Sequence, residues 1–372
     1  MEFNERNFSG MAFISVFEST WNYSDCWPYF FTFANHSFQK TIGMLCIQNT
    51  GLDPFFNQAT EEYFLKNTDE NIFMLWQNHN TIVVGKHQNT LAEINVEHVK
   101  ERGINVVRRL TGGGAVYHDL GNLNYTFIMG YGAEGAKVDF QKYNQPIIDV
   151  LATLGVTATF SGRNDILIDE QKFSGNAEHI YHQKQRVLHH GTLLYASEIQ
   201  DISDALNVNP LKYEGLGRKS VRSRVTNISS HIKEDIGVKR FGEAVMAHIT
   251  TLYPDAVPYE ITETDRAAIQ KLADEKYSQW DWTYGYSPKY GLKKGVKTPG
   301  GHIEVHLNVE KGMITELAIF GDFFVNKDLE PLVDAMVGVR HEEASILLRL
   351  QELGSADYFN KISEEELLEA FF

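Results

Sequence analysis

Residues 108–128 read RRLTGGGAVYHDLGNLNYTFI, and their three consecutive glycines separate one strand-like run from another. A backbone without side chains can approach a ligand closely, and its N–H groups can then bind oxyanions. Arg108 and Arg109 adjoin on the entering strand, so they point to opposite faces and only one of them is expected to reach the glycines. Glycine runs are more often plain turns, so the triplet alone leaves a turn and a ligand loop both open.

Two common glycine-rich nucleotide motifs do not fit this stretch. No GK[ST] sequence follows the glycines, which excludes a P-loop, and the GxGxxG spacing of the dinucleotide fingerprint is absent. Any functional assignment therefore depends on the residues around the glycines.

The composition is that of an ordinary globular protein. The 372 residues suffice for two or more domains, 43% are hydrophobic and 22% charged, and no run approaches the roughly 18 apolar residues of a membrane span. The net charge of −15 argues against sequence-independent nucleic-acid binding. The first residues, MEFNERNFSG, resemble neither a signal peptide nor a transit peptide. Two cysteines without a CxxC pair, Cys26 and Cys46, favour a reducing, cytoplasmic location.

Three segments differ in their patterning. Residues 1–43 are rich in aromatic residues without helical or strand periodicity, and we interpret them as a poorly ordered extension or a misassigned start, with Met44 as the candidate physiological start. Residues 44–258 show strand and helix patterns in turn and are predicted to form a larger α/β catalytic domain. The prolines of PDAVPYE mark a boundary, after which residues 259–372 are predicted to form a smaller α+β domain.

The patterns also predict individual elements. MLCIQ, from Met44, is a predicted strand, and Asp53 followed by Pro54 indicates a helix N-cap. FMLWQ (73–77) and TIVVG (81–85) are predicted to be paired strands. Further expected elements are strands in INVVRRL, NYTFIMG and 186–196, helices at 145–155, 240–253 and 262–276, hairpins at 165–175 and, turning at VEKG, within 302–324, and a last helix from Ser363 with a capping box to Glu366.

Four stretches together resemble the lipoate–protein ligases of the biotin/lipoate ligase superfamily. They are RRLTGGGAVYHDLGNLNYTFI (108–128), SGRNDILIDEQKFSGNA (161–177), HHGTLLY (189–195) and KSVRSRVTNIS (219–229). EKYSQWDWTYGYSP and VEKGMITELAIFGDFF are similar as well, so the resemblance covers the chain from about residue 44 to its end. It implies an α+β (mixed α/β) fold, in which mixed β-sheets flanked by helices form a large catalytic domain beside a small accessory domain.

The resemblance implies an ATP-dependent, AMP-forming ligase that works in two steps. Lipoate and ATP, with Mg²⁺, form lipoyl-adenylate and pyrophosphate. The lipoyl group then passes to a specific lysine of an apo lipoyl domain, in the E2 subunit of a 2-oxoacid dehydrogenase or in the glycine-cleavage H protein. Because a carboxylate and an α-phosphate are both anions, positive groups and backbone N–H donors must hold them together.

Lys172, which follows the predicted hairpin turn, matches the family lysine that contacts the lipoyl carboxyl group and the phosphate. A compact ammonium group suits two converging anions, and we therefore interpret Lys172 as the catalytic residue. The alternative is an ordinary exposed lysine near a turn, which the flanking QKFSGNA motif disfavours. Asn122 and Asn164 are weaker candidates for hydrogen bonds to phosphate or backbone.

The resemblance also assigns roles to neighbouring residues. Arg109 is expected to grip the adenylate, and Asp165 is either an Mg²⁺ ligand or a turn-stabilising residue. His118 and Asp119 are expected to orient the glycine loop, with the aspartate stabilising a structural histidine. The other expected contacts to ATP and lipoate come from Gly112, Gly113, Gly114, Ala115, Val116, Tyr117, Ser174 and His190.

His189 and His190 invite a metal-site interpretation, because His179 and His182 are near in sequence. Adjacent strand residues face opposite sides, however, so one histidine is expected to face the site and the other to point away. HExxH is absent. A buried, hydrogen-bonded histidine near the acyl site is the better interpretation for one of the pair.

Residues 215–233 form a basic island in an acidic chain. The plain interpretation is a solvated loop. The resemblance instead implies a mobile adenylate loop that shields the mixed anhydride from water, formed by Gly217, Arg218, Lys219, Ser220, Val221 and Arg222. Its positive charge could also guide an acidic acceptor domain.

Three other functions remain as alternatives. Octanoyl and lipoyl transferases of the same superfamily use a cysteine nucleophile, but neither Cys26 nor Cys46 falls in the four motifs. A biotin ligase would carry a GRGRxG-type loop in place of RRLTGGG. A non-catalytic regulator that binds lipoate or nucleotide is disfavoured by Lys172 in its full motif.

Overall fold

The computed structural model describes residues 43–131, 139–161, 164–206, 213–215 and 225–372. Two hypotheses concern residues outside these ranges: the N-terminal extension, of which only Gly43 is described, and the adenylate loop at Gly217–Arg222. The described residues belong to one compact unit. The predicted division between residues 258 and 259 stays a prediction.

Strands and helices alternate along the described chain. The strands are β1 (Met44–Gln48), β2 (Asn71–Trp76), β3 (Thr81–Val84), β4 (Asn105–Arg108), β5 (Val116–His118), β6 (Asn122–Gly130), β7 (Thr159–Ser161), β8 (Asp165–Ile168), β9 (Gln171–Tyr181), β10 (Arg186–Leu194), β11 (Tyr213–Gly215), β12 (Ala256–Pro258), β13 (Tyr290–Thr298), β14 (Gly301–Glu310) and β15 (Met313–Gly321). The α-helices are α1 (Pro54–Asn67), α2 (Thr90–Glu93), α3 (Val96–Arg102), α4 (Phe140–Thr153), α5 (Ile199–Ala205), α6 (Gly237–Leu252), α7 (Glu263–Leu272), α8 (Glu330–Met336), α9 (Glu343–Glu352) and α10 (Glu364–Glu369). Short 3₁₀ turns occur at His182–Lys184, Ile228–Ser230 and Ser355–Asp357, and π-helical turns at Ala273–Tyr277 and Asp281–Gly285.

The largest sheet has eight strands in the order β12-β1-β2-β6-β10-β9-β8-β7. β12, β1 and β2 run parallel, whereas the other neighbours are antiparallel. β12 comes from the PDAVPYE stretch, so the predicted boundary segment supplies an edge strand of this sheet. The mixed sheets with flanking helices confirm the predicted mixed α/β fold class.

A second sheet, β4-β3-β5, carries the glycine triplet between β4 and β5. The predicted pairing of 73–77 with 81–85 is wrong, because β2 belongs to the eight-stranded sheet and β3 to this smaller one. Both strands are almost entirely buried. A strand that is covered on both faces needs apolar neighbours above and below, which a simple two-stranded hairpin does not provide.

The third sheet is antiparallel, in the order β11-β13-β14-β15. β14 and β15 form the predicted hairpin, and its turn residues Lys311 and Gly312 have φ values of 51° and 75°. Alternate residues of β14, namely Ile303, Val305 and Leu307, are buried in a core that also contains residues of α8, α9 and α10. This core gives the C-terminal part of the chain its own apolar interior.

Helix α1 begins as predicted. The Asp53 side chain accepts hydrogen bonds from the N–H groups of Phe55 (2.8 Å) and Phe56 (3.3 Å). The helix packs against α7 and against strands of both N-terminal sheets. Because it is covered on several sides, its polar residues Gln58 and Glu61 are buried along with the apolar ones. Both of these residues belong to the site described below.

Most other predicted elements are also confirmed. α4 and α6 overlap the predicted helices but begin earlier and end one or two residues sooner, the β8–β9 hairpin lies at the predicted position, and the last helix has the predicted capping box between Ser363 and Glu366. The predicted helix at 262–276 is α7 followed by a π-helical turn. Among the helices in the described ranges, none is long and apolar enough to cross a membrane.

Candidate active site

A cavity of about 360 Å³ is lined in part by one row of residues across the eight-stranded sheet. Trp76 of β2 pairs with Asn124 of β6, which pairs with Thr192 of β10. The row continues to Gly175 of β9, whose N–H donates to Thr192 Oγ1 at 3.1 Å, and then to Asp165 of β8. Because neighbouring strands lie about 4.8 Å apart, the row spans roughly 19 Å.

An ion pair lies at the Asp165 end of the row. Lys172 Nζ is 2.9 Å from Asp165 Oδ1, and the two side chains are 24% and 32% exposed. Gly175 leaves the space that the ammonium group occupies, because a Cβ at this position would lie 2.7 Å from Lys172 Nζ. Asp169 and Glu170, with positive φ, form the tight turn that brings Lys172 back over β8. The sequence therefore positions a cation and an anion together at the cavity.

Arg109 holds the glycine loop from inside. Its Nη2 donates to the carbonyl oxygens of Gly112 and Gly114, both at 2.7 Å, while Nη1 donates to Val83 O and Nε to Thr111 Oγ1. Burial lowers the pKa of the guanidinium to about 10, which keeps it charged at neutral pH. The loop is therefore fixed around a permanent positive charge.

The central glycine is required by geometry. Gly113 has φ 99°, which side-chain-bearing residues rarely adopt, and a Cβ there would lie 2.8 Å from Arg109 Nη2. A Cβ at Gly85 would lie 2.2 Å from the carbonyl oxygen of Gly113. In a trans peptide the C=O and the following N–H point in opposite directions, so the N–H of Gly113 points away from Arg109.

A hydrogen-bonded chain connects α1 to the glycine loop through His190. Glu61 Oε1 lies 2.9 Å from His190 Nδ1 and accepts a hydrogen bond from Thr126 Oγ1 at 2.6 Å. His190 Nε2 lies 2.8 Å from Thr111 Oγ1, which accepts from Arg109 Nε. The pattern assigns Nδ1–H as the donor to Glu61 and the Thr111 hydroxyl as the donor to Nε2. The loop, the sheet and α1 are thus held in one network.

His189 points to the opposite face of the sheet, as predicted for one of the adjacent histidines. Its ring stacks on Tyr143 at 4.9 Å, and its nitrogens contact Glu178 (3.0 Å) and Asn144 (3.1 Å). Burial lowers the pKa of His189 well below its usual value and raises that of Glu178 to about 7. The surroundings therefore favour the neutral form of both groups.

His118 faces the cavity, but its predicted stabilisation by Asp119 is wrong. Asp119 accepts hydrogen bonds from the N–H groups of Gly121 (2.9 Å) and Glu198 (2.7 Å) instead. The nearest polar neighbour of His118 Nδ1 is the Asn78 amide nitrogen, at 3.1 Å. Burial, followed by the positive charge of Arg109, lowers the pKa of His118 to about 3. The ring is therefore a neutral histidine that an asparagine orients.

The structure brings most of the expected site residues to the cavity and leaves others away from it. Those in the lining are Arg109, Gly113, Gly114, Ala115, Val116, His118, Asp165, Lys172 and His190, together with the weaker candidate Asn164. Tyr117 lies outside the lining and donates to Asn80 Oδ1 at 2.9 Å. Ser174 is fully buried and accepts from Asn176 Nδ2 at 3.2 Å. Gly112 and Asn122 also lie outside the lining, and Asn122 Nδ2 donates to Asn124 Oδ1.

Sequence reasoning missed the contribution of α1 and β2. Gln58 and Trp76 line the cavity, and Glu61 supports His190. Gln58 and Glu61 are one helical turn apart, a spacing that places them on one face. Polar residues at this spacing usually form a solvated face, so their burial becomes evident only when the helix is packed.

The described residues contain no group of three or more His, Cys, Asp or Glu side chains that could hold a metal ion. A single carboxylate, Asp165, lies at the cavity and is partly exposed. One carboxylate together with nucleotide phosphates is a usual ligand set for Mg²⁺. The residues therefore fit a metal that arrives with a nucleotide rather than one held by the protein alone.

Two family models match the chain. Residues 53–250 match the lipoyl protein ligase A/B catalytic domain, and residues 287–371 match the C-terminal domain of bacterial lipoate protein ligases. The lipoate-protein ligase LplJ of Bacillus subtilis is 41% identical over 334 residues, covering 88% of this chain and 100% of the relative. Lipoate–protein ligase 1 of Staphylococcus aureus is 39% identical, covering 87% of this chain and 99% of the relative.

Two solved structures are similar to this chain. LipL1 of P. falciparum in complex with lipoate matches with a TM-score of 0.57 and 26% identity, covering 88% of this chain and 98% of that one. A lipoate-protein ligase A bound with ATP matches with a TM-score of 0.54 and 24% identity, covering 66% and 98%. The second match, at this identity, shows the fold alone.

Proposed function

The chain belongs to the lipoate–protein ligase family, and from this premise we propose that it joins lipoate to protein in two ATP-dependent steps. The first forms lipoyl-adenylate and pyrophosphate. The second transfers the lipoyl group to one lysine of a lipoyl domain, in an E2 subunit or in the glycine-cleavage H protein. The observation that carries the proposal is that the partly exposed pair of Lys172 and Asp165 lines the same cavity as the glycine loop supported by Arg109.

Lys172 is the proposed catalytic residue. Its ammonium group holds the lipoate carboxylate and the α-phosphate together, and it stabilises the charge that develops as the anhydride forms. The partner that it contacts in the structure, Asp165, is the proposed protein ligand of the Mg²⁺ that accompanies ATP. Lys172 can then exchange one carboxylate for the substrate anions without losing its charge compensation.

The glycine loop supplies the second part of the proposed machinery. The N–H of Gly113 points away from Arg109 and is available to an anion, while the guanidinium behind the loop adds positive potential. Protein acceptors take four of the five N–H groups of Arg109, so we propose that its predicted grip on the adenylate acts mainly through the loop that it holds. Ala115 and Val116 continue the same wall toward Trp76.

The remaining expected contributors have supporting roles in this proposal. Gly112 is a carbonyl anchor for Arg109, the Tyr117 hydroxyl connects β5 to Asn80, and Ser174 accepts a hydrogen bond from Asn176 within β9. The adenylate loop at Gly217–Arg222 is proposed to close over the mixed anhydride. The proposed division into a catalytic domain (44–258) and an accessory domain (259–372) is supported by the two separate family matches.

The alternative acyl transferase needs a reactive thiol. Cys46 is buried in β1, and burial raises its pKa to about 11, so the thiolate is scarce at neutral pH. Among the residues that line the cavity there is no cysteine. The environment of Cys46 therefore favours the ligase over a thioester mechanism.

The test is an incubation of the enzyme with Mg-ATP, lipoate and an apo lipoyl domain, followed by intact-mass measurement of the domain. We expect a gain of one lipoyl group that depends on ATP, and no gain when the acceptor lysine is replaced by arginine. A second incubation replaces ATP and free lipoate by an octanoyl or lipoyl thioester, and gain of the acyl group from that donor without ATP would support the transferase instead. A domain whose mass stays unchanged under all conditions would contradict both functions.

A further inference from the structure

The Trp76 end of the cavity contains polar groups without a protein partner. Within the described part of the chain, neither atom of the Gln58 amide nor His118 Nε2 has a hydrogen-bond partner. Both side chains line the cavity and are almost fully buried, with 1% and 3% of their surface exposed. Buried polar groups in proteins are nearly always hydrogen-bonded, so two exceptions that both line this cavity point to a ligand.

The proton of His118 can be placed from its neighbours. Nδ1 faces the amide nitrogens of Asn78 (3.1 Å) and Asn124 (3.5 Å), which are donors. The orientation of both amides is supported, because their oxygens accept hydrogen bonds from Asn57 and Asn122, each at 2.9 Å. Nδ1 is therefore the acceptor, and a neutral ring carries its proton on Nε2. His118 thus presents an N–H donor whose partner is not a described protein group.

These groups lie at the end of the cavity opposite to Lys172. The hydrogen bond from Asn57 to Asn78 places the start of α1 beside the end of β2, where Trp76 lies. Asp165, the ion-pair partner of Lys172, is four strands away from Trp76 along the row. An acyl chain whose carboxylate is at Lys172 therefore extends its far end toward Gln58 and His118.

We propose that Gln58 and His118 recognise sulfur at the far end of the acyl chain, so that the site prefers a sulfur-bearing chain to a plain alkyl chain. The N–H groups of both side chains can donate to sulfur, and Gln58 Oε1 can accept from a thiol of the reduced, dithiol form. A methyl end leaves all of them unpaired in a buried place, which disfavours that substrate. The inference rests on the proposed ligase function and names the substrate feature that the same site selects.

The experiment compares lipoate, dihydrolipoate and octanoate in the ATP-dependent release of pyrophosphate. Gln58→Leu keeps the side-chain size but removes the amide, and we expect the lipoate-to-octanoate ratio of kcat/KM to fall about tenfold. Octanoate use should rise while lipoate use falls. The matched control is Gln145→Leu on α4, whose amide donates to the exposed Asp149 and lies outside the cavity, and it should leave the ratio unchanged.

Folding is followed by thermal unfolding of each variant. Because Gln58→Leu removes an unpaired buried amide, its Tm should equal or exceed that of the parent protein. Gln58→Met is the second variant, in case the leucine does not pack. An unchanged substrate ratio in a folded variant overturns the inference while leaving the ligase intact. Absence of pyrophosphate release with all three acids in the parent protein contradicts the proposed ligase function, and the inference fails with it.

Discussion

At the residue scale, Lys172 contributes little to the stability of the fold. Its ion pair with Asp165 is partly exposed, and such pairs stabilise proteins by only about 0–1 kcal/mol. Gly175 nevertheless keeps space for the ammonium group at the cavity. Stability therefore does not explain why a lysine lies here. Binding of an anion by its ammonium group does.

Lys172→Ala should therefore abolish adenylate formation and leave Tm within about 2–4 °C of the parent value. Pyrophosphate release with lipoate and Mg-ATP measures the first effect, and thermal unfolding measures the second. The matched control is Lys184→Ala, which removes another partly exposed pair, with Asp69 at 3.0 Å, outside the cavity lining. Pyrophosphate release near the parent rate in Lys172→Ala would rule out the catalytic assignment.

At the element scale, two adjacent arginines at the end of β4, Arg108 and the following Arg109, have different tasks. Arg109 holds the glycine loop, whereas Arg108 is fully buried on the other face. Arg108 donates to the carbonyl oxygens of Gln88 (2.8 Å) and Thr283 (2.7 Å), among other acceptors. The same short strand thus fixes the loop on one side and the segment before β13 on the other.

The shape of the glycine loop depends on close backbone contact between β3 and the triplet. Gly85→Ala introduces a methyl group that would lie 2.2 Å from the carbonyl oxygen of Gly113, so the loop must shift. We expect a loss of at least about tenfold in adenylate formation, because small displacements of positioning groups are costly in catalysis. The control, Gly130→Ala, adds the same methyl group where no atom lies within 4 Å and should be neutral. Equal activity in the two variants would exclude a requirement for this contact.

At the scale of the whole molecule, buried neutral histidines connect stability to pH. His341 lies in the C-terminal core between the hydroxyl of Tyr290, at 2.6 Å from Nδ1, and the carbonyl oxygen of Phe371, at 2.7 Å from Nε2. Burial lowers its pKa to about 4, below the usual value near 6.5. The unfolded chain therefore binds a proton between these two pH values while the folded chain does not.

Stability contributed by the neutral His341 is present above pH 6.5 and is lost as the pH falls toward 4. His341→Gln, which cannot titrate, should lower Tm at pH 7 and make Tm less dependent on pH between about 6.5 and 4. Thermal unfolding at several pH values measures both effects. His98→Gln, at a residue of α3 that belongs to none of the buried apolar clusters, is the control and should keep the parent slope. If the dependence of Tm on pH is unchanged in His341→Gln, the assignment of a buried neutral His341 is contradicted.

Local patterns in the sequence determined the elements and the identity of the main site residues. Asp53 and Pro54 start α1 because their side chains satisfy or replace backbone donors within one turn, and Lys311–Gly312 closes a hairpin for an equally local reason. The alternation of strand residues also placed His189 and His190 on opposite faces before any packing was known. The four motifs then brought Lys172 and the glycine loop into one expected site.

Only the tertiary structure decided which partners these residues have. Asp119 is next to His118 in the chain, yet an asparagine from the end of β2 orients the ring. Gln58 lies more than a hundred positions before Lys172 in the sequence. Both line the same cavity only because of how α1 packs between the sheets. Burial is a property of the assembled core rather than of a segment, so polar residues that lose their water there cannot be told from solvated ones by local sequence.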